Sequence, residues 1–132
     1  MSVLILVVDD EEVLLRAITE ILEYDGLEVV TSNNARDALA MITRGERFDV
    51  ILSDLAMPNM TGMEFFDALK ALDANLAQRV LFMSGGAVTA KSDNFLNALA
   101  KKCIAKPFKG AELRDAIQQA LAEKTPQLQL NA

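Results

Sequence analysis

Short apolar runs alternate along the chain with longer stretches in which apolar residues return every three or four positions. Val3–Val8, Leu27–Thr31, Val50–Ser53, Val80–Ser84 and Cys103–Ala105 are the short runs, and each is predicted as a strand. Most are too continuously apolar to leave one side in water, which predicts a sheet covered on both faces. Between them, Val13, Leu14, Ala17, Ile18, Ile21 and Leu22 repeat at helical spacing, with Arg16, Glu20 and Glu23 on the opposite side. A second helix is predicted through Ala35, Ala38, Leu39 and Ile42, capped by Asn33 or Asn34 and stopped near Gly45. A third follows Gly62 through Phe65, Phe66 and Leu69. A fourth holds Phe95, Leu96 and Leu99, and the last Leu113, Ile117 and Leu121.

This βα alternation, repeated five times, predicts an α/β domain built on a doubly wound, five-stranded parallel sheet. Right-handed crossovers favour the strand order 2-1-3-4-5. One domain is expected over residues 1–123. Residues 124–132, with Pro126 and alternating Gln and Leu, are expected to be a flexible tail or linker stub.

Composition narrows the functions available. The chain has 132 residues and is 52% hydrophobic but only 5% aromatic, so its core is aliphatic. A formal charge of −6 disfavours direct nucleic-acid binding. The absence of His removes His-ligated metal sites and His acid–base chemistry. The lone Cys103 has no internal disulfide partner, as expected of a reducing cytoplasm. Met1–Val8 is apolar but far too short to span a membrane.

The polar residues at the strand ends change the picture most. In a doubly wound sheet, ligands bind beyond the carboxyl ends of the strands, where strand order reverses. Asp9 and Asp10 end the first predicted strand, Asp54 the third, Ser84 the fourth and Lys106 the fifth. Three crowded carboxylates repel unless a cation offsets them. Mg²⁺ suits an all-oxygen set that leaves room for phosphate. A Lys ammonium and a Ser hydroxyl beside such a cation would clamp a transferring phosphoryl group, with a carboxylate as nucleophile. Singly, each residue has a plainer account: Asp10 as a helix cap, Asp54 as the start of a turn before Pro58-Asn59, Ser84 as a backbone-bonding strand end, Lys106 as a solvated lysine. Their coincidence at one sheet edge carries the functional reading.

The stretches Leu6-Val7-Val8-Asp9-Asp10-Glu11, Phe48 through Pro58 with Gly62 following, Val80 through Gly85, and Lys106-Pro107-Phe108 together resemble a response-regulator receiver domain of two-component systems. The similarity spans about Val3 to Ala122 and implies the flavodoxin-like fold. It implies that Asp54 is the phosphoacceptor, that Asp10 ligates Mg²⁺ directly and Asp9 through water, and that the Ala56 backbone carbonyl is a further ligand. Ser84 is then the hydroxyl that moves toward the phosphoryl group and Lys106 its counter-charge, with a cis Lys106–Pro107 bond. The implied donor is a phosphohistidine on a sensor histidine kinase or a histidine phosphotransfer protein, or a small acyl phosphate. A homodimer through the last two helices and strand also follows from the resemblance. The implied activity is self-catalysed phosphotransfer and autodephosphorylation rather than turnover of a substrate.

One position departs from that pattern. Cys103 stands where the family carries its switch aromatic, three residues before the lysine. A thiol lacks a ring's bulk, and the plain reading of Cys103 is a small buried hydrophobe. The segment Asn94–Lys102 is similar to receivers attached to hybrid sensor kinases. Two other classes compete: an aspartate-nucleophile phosphatase, poorly matched because Glu11 stands two residues after Asp9, and a receiver-like interaction module that is never phosphorylated, opposed by the intact acidic and basic set.

Overall fold

The computed structural model describes residues 3–85, 90–99 and 103–124. Five strands, β1 (Leu4–Val8), β2 (Glu28–Ser32), β3 (Val50–Asp54), β4 (Val80–Ser84) and β5 (Cys103–Ala105), form one parallel sheet in the order β2-β1-β3-β4-β5. The doubly wound topology expected from the alternation of elements is therefore the one observed. Strand ends differ from the sequence expectation by one residue: β2 is shifted forward by one and β3 runs on through Asp54.

Side chains along the strands sort by twos onto the two faces, as the pleat requires. Leu6, Val8, Ile51, Val80 and Phe82 face one way, and pack with residues from α2 (Ala35–Thr43), α3 (Gly62–Leu72), α4 (Ala74–Ala77) and α5 (Ala90–Leu99). Ile5, Val7, Val50, Leu52, Leu81 and Met83 face the other way, against α1 (Glu12–Tyr24) and α6 (Gly110–Lys124). The sheet thus separates two apolar clusters. This explains why the central strands read as unbroken apolar runs: β1 and β3 are buried on both faces.

The helix boundaries have local causes. Asn34 caps α2, its side chain accepting the Asp37 N–H at 2.8 Å, and Gly45 leaves the helix at φ 97°. Thr61 and Glu64 form a reciprocal capping box at the start of α3. The one-turn α4 was not expected. Asp73 initiates it by accepting the Leu76 N–H at 3.1 Å, and it buries Leu76 and Ala77. Four residues are too few to display a helical period, so its sequence carries no such signal. Apart from Lys124, which closes α6, the expected tail lies outside the described residues.

Three rings lock α3 and α5 onto β4. Phe66 lies 6.0 Å from Phe82 and 5.5 Å from Phe95, and Phe82 and Phe95 meet edge to face at 5.6 Å. Such geometries suit the quadrupoles of aromatic pairs. Cys103 pairs in register with Phe82 and packs at the margin of this cluster.

Candidate functional site

The parallel register brings the carboxyl ends of β1 and β3 side by side, with Val8 opposite Ser53. Asp9 and Asp10 follow β1 directly and Asp54 closes β3, so the three carboxylates meet at the point where strand order reverses. One carboxylate oxygen from each lies within 4.8 Å of the others. Asp9 and Asp54 are buried while Asp10 is exposed, so the cluster opens to solvent on the Asp10 side.

Lys106 reaches into this cluster from the end of β5. Its N–H donates to the Ser84 carbonyl at 2.8 Å, which extends the β4–β5 ladder by one step and aims the side chain inward. The ammonium donates to Asp9 Oδ2 at 2.7 Å and to Glu11 Oε1 at 3.3 Å, and lies 3.5 Å from Asp54 Oδ1. The lysine is therefore no solvated surface residue, and its nearest partner is Asp9 rather than Asp54. Burial pulls its pKa down, but the bond to Asp9, the charges of Asp54 and Asp9 and the bond to Glu11 outweigh burial and raise it above the ordinary 10.5. It stays an ammonium ion. The Lys106–Pro107 peptide bond is cis.

Burial raises the Asp54 carboxyl above its ordinary 3.8, and the charge of Asp9 adds to the rise. Lys106 and the Ala56 N–H oppose it. A carboxylate in such a place is crowded by negative charge, and a cation or a phosphoryl clamp would relieve it. Ala56 is exposed on the loop after β3, two residues beyond Asp54. In that loop Asn59 adopts φ 70°, a conformation Asn tolerates better than most residues.

Gly62 closes the loop. Its N–H donates to the Leu55 carbonyl at 2.9 Å, and a methyl group on its Cα would collide with the Asp54 carbonyl oxygen and lie 2.8 Å from Leu55 Cα. Only hydrogen fits between α3 and the backbone that carries Asp54. Ser84, half-buried, ends β4 opposite Ala105. The plain account of Asp10 as a helix cap does not hold, because Glu11 occupies the cap position of α1 and Asp9 Oδ1 accepts the Glu11 N–H at 2.9 Å.

Cys103 is half-buried, and burial first, then the charge of Asp54, pushes its thiol pKa up. A thiol so placed is a poor nucleophile and behaves as a small apolar side chain. Gly86 and residues 100–102 lie outside the described residues. Sequence reasoning missed the contact of Glu11 with Lys106, having weighed Glu11 only as the end of the Leu6–Glu11 stretch and against a phosphatase, and it missed the steric role of Gly62.

A groove of about 330 Å³ lined by Glu11, Leu14, Gly85, Lys106, Pro107 and Phe108 opens beside the cluster. A larger hollow of about 450 Å³ lies at the opposite edge of the sheet. There Arg79 is tied to the backbone carbonyls of Asp49 and Asn75 at 2.8 and 3.2 Å.

The fold and this cleft define a doubly wound α/β protein with an acidic site at the switch point of its sheet. Comparison with known proteins supplies the family: residues 5–118 match the family model described as "Response regulator receiver domain", and the chain belongs to that family. It is 31% identical over 121 residues to sporulation initiation phosphotransferase F of Bacillus subtilis, covering 92% of this chain and 95% of that protein. It is 30% identical to the sensor histidine kinase RcsC of Salmonella typhi, but there the match spans 12% of the relative's length. Among solved structures, a receiver domain protein from Methanospirillum hungatei superposes with a TM-score of 0.87 at 27% identity, covering 96% of this chain and 99% of that one. The chemotaxis protein CheY4 of Vibrio cholerae superposes at 0.77 with 28% identity, covering 92% and 100%. Among the described residues, no helix is long and apolar enough to cross a membrane.

Proposed function

We propose that this receiver domain accepts a phosphoryl group on Asp54 in a Mg²⁺-dependent reaction and signals by the conformational change that follows. The observation that carries the reading is the convergence of Asp9, Asp10 and Asp54, with oxygens within 4.8 Å of one another, together with a charged lysine that reaches Asp9 and Asp54. The donor set fits Mg²⁺, since all three side chains offer hard carboxylate oxygens and Asp10 faces solvent, where the ion's remaining waters fit. Asp9, Asp10, Asp54 and the Ala56 carbonyl would hold it. The chemistry such an ion supplies is neutralisation of the carboxylates and of the phosphoryl oxygens.

The chain's own residues do the rest. An Asp54 oxygen bonds to phosphorus as the P–N bond to a donor imidazole breaks, its electron pair returning to the nitrogen. Lys106 turns from Asp9 toward the new phosphoryl oxygens, and the Ser84 hydroxyl donates to them. Positioning and charge do the work, and no general base is required. The protein is then a phosphoacceptor that catalyses its own modification rather than a turnover enzyme. The donor is a phosphohistidine of a sensor histidine kinase or a histidine phosphotransfer protein, and the reaction is cytoplasmic. Two copies pair through the face of α5, β5 and α6.

Incubation with Mg²⁺ and acetyl phosphate should add one phosphoryl mass to the wild type and none to Asp54→Ala. Failure of the wild type to gain mass with any phosphoryl donor, or equal gain by Asp54→Ala, overturns the proposal.

A further inference from the structure

Three carboxylates, those of Asp9, Glu11 and Asp54, crowd one ammonium at the strand ends, with Asp10 beside Asp9 and Asp54, and the bonds are unevenly shared. Both oxygens of Asp9 are engaged: Oδ1 by the Glu11 N–H at 2.9 Å and Oδ2 by Lys106 at 2.7 Å. A cation held by the full acidic set draws on Asp9, directly or through water, and the lysine already holds that carboxylate. The two cations compete.

Lys106 has little freedom to retreat. Its side chain is 11% exposed, and its stem lies over Gly85, where an added methyl would sit 3.0 Å from Lys106 Cδ. The ammonium therefore lies within the cleft, between Asp9 and the exposed Glu11. Of these two, Glu11 is the acceptor that Mg²⁺ has no need of.

Glu11 is also oddly placed for any other duty. It stands at the N-cap of α1 in extended conformation, where Asp, Asn or Ser is favoured, and its side chain makes no cap bond. Its carboxylate reaches across to Lys106 instead. With 63% of that side chain exposed, water supports its charge whether or not the lysine is near.

We propose that Glu11 is a positioning residue that takes up the Lys106 ammonium when a divalent cation claims Asp9, so that metal binding does not strand a buried lysine. This rests on the reading of Asp9, Asp10 and Asp54 as a Mg²⁺ site. Glu11 thereby lowers the barrier that Lys106 sets against the metal and keeps the ammonium at the mouth of the cleft, poised for the phosphoryl oxygens.

Calorimetric titration with MgCl₂ of the wild type, Glu11→Gln, Lys106→Met and the double variant tests this. The titrations are run at about 0.15 M salt, where the direct pull of an exposed charge on the ion is screened. Glu11→Gln should weaken Mg²⁺ binding roughly three- to fivefold, the scale of a partly exposed ion pair. Lys106→Met should tighten it by removing the competitor. In the Lys106→Met background, Glu11→Gln should change affinity by less than about twofold, since the coupling has lost its partner. Equal weakening in both backgrounds would show Glu11 to be only a nearby negative charge, and no weakening in either would show it to be idle. Both outcomes overturn the proposal. A wild type that binds no Mg²⁺ overturns the metal-site reading itself, so the two failures are distinct.

Discussion

Replacement of Gly62 by alanine perturbs the site without touching any charged group. The added methyl would stand 2.8 Å from Leu55 Cα, about 0.6 Å inside ordinary carbon–carbon contact, and closer still to the Asp54 carbonyl oxygen. Both are backbone atoms and neither can rotate away, so either α3 lifts from the sheet or the end of β3 shifts. Overpacking of this kind costs about 1–3 kcal/mol. Alanine at the first position of a helix recovers part of that, about 0.5–1 kcal/mol, from glycine's greater entropy loss. A net loss near 1–2 kcal/mol should lower Tm by roughly 3–8 °C in a domain of this size. Thermal and urea unfolding followed by circular dichroism measure the stability, and mass spectrometry after acetyl phosphate treatment measures uptake at Asp54. Uptake should slow as well, because the displaced backbone carries the nucleophile. A variant as stable as wild type that is phosphorylated at the wild-type rate would refute the claim that the Gly62 contact sets the position of Asp54.

Asp54→Asn should raise the Tm of the metal-free protein at neutral pH. The folded-state pKa of Asp54 lies above its ordinary 3.8, so the carboxylate costs stability above the folded value and nothing below the unfolded one. The gain should shrink as pH falls toward 3.8, and a gain independent of pH would show that the strain is not ionic. Cys103→Tyr should leave phosphoryl uptake unchanged within about twofold, since Cys103 packs at the margin of the Phe66–Phe82–Phe95 cluster. Binding of a histidine-phosphotransfer partner should change instead, and a large loss of uptake would place this side chain in the phosphoryl site.

The sheet order and the gathering of Asp9, Asp10, Asp54 and Lys106 at one edge, with Ser84 ending the neighbouring strand, could be read from the chain, because unbroken apolar runs mark doubly covered strands and strand ends gather at the switch point. What could not be read is set by contacts between elements distant in sequence. Lys106 was placed at the cleft, but its choice of Asp9 over Asp54 depends on a side-chain path over Gly85 that no local pattern encodes. Gly62 looked like an ordinary helix start; its necessity comes from backbone eight residues earlier. Glu11 was hidden by its neighbours, since acids gathered where a helix begins are commonplace.

The division of the apolar core by the sheet has a consequence for how such a domain can vary. α1 and α6 share one cluster and α2 through α5 the other. Substitutions on opposite faces have no packing partner in common, so their effects on stability should add, while those within a face should couple. Phe82 and Ser84 sit two apart on β4 and so point toward the face of α3 and α5. A lineage can therefore redraw the α1 and α6 surface to meet new proteins without retuning the packing around the rings beside Ser84.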